Sequence, residues 1–154
     1  MTACVDASVV AKWYFDEELS DRARVLERAY EEGHLELAAP DVLFYECMNI
    51  LRGKAYEGQC TADEASRIAQ RILGVRWQLV PGPVLAERAL RLCLQRGGLV
   101  VYDAAYVALA AALGVDFWTA DVRLARLTAD LPFVKLLGRD WFAGEPTSGM
   151  EEPS

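Results

Sequence analysis

The sequence has one histidine, no Cys-x-x-Cys pair and few lysines. Nor does it hold an unbroken apolar run near the roughly 18 residues that cross a bilayer. Each absence removes a class of chemistry. His34 follows Gly33 in what reads as a surface turn, so no nucleophile–histidine pair competes for the site. Cys4, Cys47, Cys60 and Cys93 are scattered, which speaks against a structural zinc site and for free thiols in a reduced, cytoplasmic protein. The longest apolar candidate, Ala104 to Val115, is short and Ala-rich, and no membrane association is expected. No charged region precedes the apolar run from Val9 to Phe15, which Lys12 interrupts, so no secretory signal is read. Basic residues are also short: 16 Lys and Arg against 23 Asp and Glu leave a net charge of −7. That balance argues against a phosphate-backbone partner, because non-specific nucleic-acid affinity comes mostly from Lys and Arg.

What is present suits one folded domain. A chain of 154 residues, 53% hydrophobic, buries roughly 68–70% of its unfolded surface and needs no metal or disulfide staple to fold. Residues 1–143 read as a single domain, and residues 144–154, small, polar and Pro-containing, as a disordered tail. Short apolar segments at Ala3–Val5, Leu35–Ala39, Trp77–Val80, Asp116–Thr119 and Phe133–Leu137 read as strands. Helical stretches separate them: Val9–Phe15, a Ser20-capped helix through Tyr30, and a helix opened by Pro40 and Asp41. Thr61 to Glu64 has the form of a capping box, and Val101–Leu113 is apolar nearly all round, which predicts an interior helix. The alternation predicts an α/β fold with a parallel sheet between two helical layers. Ligands of such folds sit beyond the carboxyl ends of the strands, where the strand order reverses.

Four acids fall where that rule looks. Asp6 follows the first strand and Asp121 the fourth; each alone could be only a helix cap. Glu46 has Val42, Leu43, Asn49 and Ile50 as same-face neighbours, so burial there demands a compensating cation or donor. Asp103 enters the apolar helix at its first turn, where free N–H groups favour a carboxylate. Four acids from four segments repel one another unless divalent cations neutralise them, and an all-oxygen donor set selects Mg²⁺ or Mn²⁺.

These segments resemble the PIN-domain ribonucleases, and within them the VapC-like toxins of toxin–antitoxin pairs. The likeness rests on Val5-Asp6-Ala7-Ser8-Val9-Val10-Ala11-Lys12-Trp13, then on Pro40 through Glu46 to Asn49 and Leu51. It continues in Tyr102-Asp103-Ala104-Ala105-Tyr106-Val107-Ala108-Leu109-Ala110 and in Thr119-Ala120-Asp121-Val122-Arg123-Leu124. The resemblance implies a PIN-like three-layer α/β/α sandwich with a five-stranded parallel sheet. It also implies a Mg²⁺- or Mn²⁺-dependent endoribonuclease centre built from Asp6, Glu46, Asp103 and Asp121, with Ser8, Asn49 and Thr119 in support. A homodimer and a cognate antitoxin that covers the active site are expected with it.

Two further expectations concern contacts. Trp13, Tyr14 and Phe15 cannot all face inward on one helix, so at least one should be exposed, to an antitoxin or to stacked RNA bases. Arg123, beside Asp121, is the candidate for touching substrate phosphate.

Rival readings fit less well. A haloacid-dehalogenase-type phosphatase wants a second Asp where Ser8 stands, and a receiver domain wants an Asp where the third strand runs into Pro81. An RNA-processing PIN nuclease without a toxin role, or a non-catalytic PIN interaction module, remains open.

Overall fold

The computed structural model describes residues 1–143; the segment read as a tail lies outside the described residues. The chain order is β1 (Thr2–Val5), α1 (Ala7–Tyr14), α2 (Ser20–Glu31), β2 (Glu36–Pro40), α3 (Val42–Tyr56) and α4 (Ala62–Leu73). It continues with β3 (Trp77–Val80), α5 (Gly82–Gln95), α6 (Val101–Leu113), β4 (Asp116–Thr119), α7 (Val122–Leu127) and β5 (Val134–Leu136). All strand pairings are parallel, in the order β3-β2-β1-β4-β5. Connections from β1 through β2 to β3 step one way across the sheet, and those to β4 and β5 step back. With right-handed crossovers, α1–α4 cover one face and α5–α7 the other. The packing agrees: α1 lies against α2 and α3, α3 against α4, and α5 against α6.

The order reverses between β1 and β4, and there the register pairs Val5 with Trp118. Both strands are apolar on both faces, with Ala3, Cys4, Val5, Phe117 and Trp118 all buried, as a covered parallel sheet requires. Side chains fully removed from water here, such as Leu26, Leu37 and Phe117, each contribute about 1.5–3 kcal/mol of transfer free energy. The core is anchored on α6, whose Tyr106 ring stacks on Phe117 at 5.5 Å between centroids.

Several local expectations need correction. Ser20 does not cap α2; Leu19, in a left-handed conformation, precedes that helix without a side-chain cap. The Ser20 hydroxyl instead donates to the Phe15 carbonyl at 2.7 Å and accepts from the Glu17 amide, closing the turn between the two helices. Pro40 ends β2 rather than opening α3. Helix α6 buries only Ala104 and the stretch from Tyr106 to Ala110, leaving Val101, Tyr102 and Leu113 exposed.

The aromatic run resolves differently from its helical reading. Helix α1 stops at Tyr14, and Phe15 turns to extended backbone. That change of direction lets Trp13 and Phe15 both bury, with Tyr14 half-buried, so no member of the run is exposed. Trp13 stacks on Trp77 and donates to the Ala23 carbonyl at 2.9 Å, which makes it core. Tyr14 borders a cleft with Glu27, Glu31 and Arg71 on the α1–α2–α4 side.

Candidate active site

Asp6 leaves β1 as the N-cap of α1, its carboxylate accepting from the Ser8 and Val9 amides at 3.0 and 3.3 Å. The capping role is therefore real, yet it uses only Oδ1. Oδ2 accepts from the Thr119 hydroxyl at 2.5 Å, and the Ser8 hydroxyl also donates to Oδ1. Ser8 Oγ in turn accepts from the Ala120 amide, and Thr119 Oγ1 from the Asp121 amide. The ends of β1 and β4 are thus laced through two hydroxyls with Asp6 between them. Asp121 caps α7 by accepting from the Leu124 amide at 3.1 Å, while its side chain stays at the surface.

Glu46 comes from the second turn of α3, and a hydrogen-bond donor meets part of the compensation that its burial demands. The buried Tyr106 phenol donates to Glu46 Oε1 at 2.7 Å. Nothing in the sequence marks Tyr106 for a role, since a tyrosine in a run of apolar helical residues reads as core. Asp103 enters from the first turn of α6, half-buried.

All four acids line one cleft of about 230 Å³, together with Ala7, Ser8, Asn49 and Ile50. Thr119 lies beneath it, fully buried. The electrostatics record the crowding. Burial, opposed by the Ser8, Thr119 and Val9 donors and reinforced by Glu46, raises the Asp6 carboxyl to about 6. Glu46 is pushed up by burial and by Asp103, with Tyr106 pulling it down. Asp103 is pushed up by burial and by Asp121, with Arg123 opposing. Arg123 acts from a distance, since its guanidinium is docked on the Gly98 carbonyl at 2.8 Å.

Among the described residues, no three His, Cys, Asp or Glu side chains close around one point tightly enough to hold an ion unaided. The acids line a cleft rather than a cage. A hard divalent cation in such a cleft would complete its shell with water and substrate phosphate.

Residues 3–130 match the PIN domain family. The chain belongs to the PIN-domain family. This PIN domain is 36% identical over 132 residues to Ribonuclease VapC3 of Pyrobaculum aerophilum, covering 81% of this chain and 93% of that one. It superposes on the crystal structure of PAE2754 from the same organism with a TM-score of 0.63 and 26% identity, over 82% of this chain and 79% of that one. Mycobacterium tuberculosis VapC20, described as a Sarcin-Ricin loop cleaving toxin, shares the fold with a TM-score of 0.63 at 16% identity, over 80% and 93% of the two chains. The PIN fold and its five-stranded parallel sheet are as the resemblance implied.

Proposed function

We propose that this PIN domain is a Mg²⁺- or Mn²⁺-dependent endoribonuclease and the toxin of a toxin–antitoxin pair. The observation that carries the reading is the meeting of Asp6, Glu46, Asp103 and Asp121, from four separate segments, in one open cleft. Its likeness to a ribonuclease along most of the chain supports the substrate class.

The donor set fits a hard divalent cation. It is all oxygen, and its burial and mutual repulsion disfavour the ionised carboxylates, a cost that a bound cation would relieve. Asp6, Glu46, Asp103 and Asp121 would hold it. When bound, such a cation supplies water activation and charge stabilisation for in-line displacement at phosphorus.

The chain's own residues prepare that chemistry. Ser8 and Thr119 fix both Asp6 oxygens, so the carboxylate needs no reorganisation when substrate arrives. Asn49 lines the cleft as a neutral donor suited to a phosphate oxygen or a water. Arg123 partly offsets the acids at the α6–α7 side and is the cation nearest in sequence to receive a phosphate, if it leaves Gly98.

Comparing RNA cleavage by the wild type, Asp6→Asn and Asp103→Asn, with Mg²⁺ or Mn²⁺ and with EDTA, tests the reading. Cleavage is expected only from the wild type with metal. Equal cleavage in all arms would overturn it.

The same reading carries a reduced, cytoplasmic setting and a single domain over residues 1–143. It also carries a homodimer and an antitoxin that presents basic residues to the acidic cleft. Light scattering on the purified chain, alone and with the product of an adjacent small reading frame, checks both partners.

A further inference from the structure

Tyr106 is the only hydrogen-bond donor that Glu46 has among the described residues. Its ring is 1% exposed and stacked nearly parallel on Phe117, so packing fixes the phenol independently of Glu46. A phenylalanine would fill the same volume without a buried hydroxyl to satisfy. The hydroxyl therefore does something that packing does not require.

Helical geometry gives the contact its meaning. Asp103 and Tyr106 stand three residues apart on α6, on one face. One rigid helix thus contributes an acid to the cleft and also grips an acid supplied by α3. A glutamate on a helix has three free side-chain torsions, and left alone it would sample several rotamers. With Oε1 held at 2.7 Å, Oε2 is the oxygen left for the cleft.

We propose that Tyr106 is a positioning residue, which sets Glu46 for cation binding by fixing one of its two oxygens. The proposal rests on the metal-dependent reading of the site and adds a residue to it. Supporting partners of metal ligands commonly change metal affinity by about 10–100-fold when removed.

Calorimetric titration of the full chain with Mn²⁺ tests this, using wild type, Tyr106→Phe, Glu46→Gln and the double variant, with thermal melts alongside. Tyr106→Phe is expected to weaken Mn²⁺ binding by about tenfold or more while keeping a cooperative melt. In the Glu46→Gln background the same change should add little, because the two residues act as one unit. Equal Mn²⁺ affinity in wild type and Tyr106→Phe would overturn the positioning role alone, even if the melting point fell. A full additional loss in the Glu46→Gln background would overturn it as well. Absence of Mn²⁺ binding by the wild type would instead sink the metal reading, and this proposal with it.

Discussion

Thr119, the last residue of β4, donates a hydrogen bond to Asp6, the first residue beyond β1, across the strand pair where the sheet order reverses. The bond joins residues 113 positions apart and fixes the carboxylate at the floor of the acidic cleft. Removing the donor isolates its effect. Thr119→Val keeps the buried shape and strips one of the groups that lower the Asp6 carboxyl. The acid limb of the pH–cleavage profile should therefore move to higher pH, with about 1–3 kcal/mol of stability lost. An unmoved acid limb would show that the bond does not act on Asp6.

The pH dependence of stability follows from the direction of the site's carboxyls. Asp6, Glu46 and Asp103 are all raised on folding, so the folded state holds their protons more tightly than the unfolded one. Their favourable contribution is complete below the unfolded values near 4 and is lost as pH rises through the folded ones. Asp6, moved from 3.8 to about 6, accounts for on the order of 3 kcal/mol of that fall. Glu17 has the opposite sign: burial pushes it up, but Lys54 and Lys12 prevail and hold it down, so its contribution fades in acid. Denaturant melts from pH 3 to 8 should show a maximum on the acid side of neutrality; a plateau rising to pH 8 would contradict this.

Divalent ions should remove that slope. A cation that binds only the folded, ionised cleft stabilises by mass action, so millimolar Mg²⁺ should raise the melting point more at pH 7.5 than at pH 4.5. EDTA should restore the original value. The same increment at both pH values would mean that the ion binds elsewhere.

Arg123 offers a separable prediction. Its charge opposes the rise of the Asp103 carboxyl, while its hydrogen bond secures Gly98. Arg123→Ala should lower RNA cleavage most in acid, where Asp103 becomes easier to protonate, and Arg123→Lys should recover part of the loss. A uniform loss across pH, with no rescue, would point to the Gly98 loop instead.

Trp13 separates core from contact surface. Trp13→Ala removes the stack on Trp77 and the bond to Ala23, so it should cost about 3–5 kcal/mol in a denaturant melt. A change below about 1 kcal/mol would overturn the core assignment.

Much of the candidate site was legible in the sequence because its acids lie where chain pattern meets topology. Asp6 and Asp121 each follow an apolar strand, and Glu46 interrupts an apolar helix face, so position alone made those acids unusual. Boundaries were less legible where tertiary contacts override local preference. Ser20 has good capping chemistry, yet its hydroxyl is used by the Phe15 carbonyl. Three aromatics in a row demand an exposed member only on a helix that continues through Phe15, and α1 ends at Tyr14.

Local pattern specifies the alternation of strands and helices and the acids that stand at strand ends, because periodicity and residue type are properties of neighbouring residues. It did not determine the partners of those acids. That Asp6 rests on Thr119, that Glu46 is held by a tyrosine instead of an arginine, and that Arg123 is docked on Gly98 depend on residues 113, 60 and 25 positions apart. Only tertiary packing brings such groups within hydrogen-bond range. The net charge of −7, which alone argued against RNA, gains its meaning from the same packing: four of the 23 acids lie in one cleft that a divalent cation would neutralise.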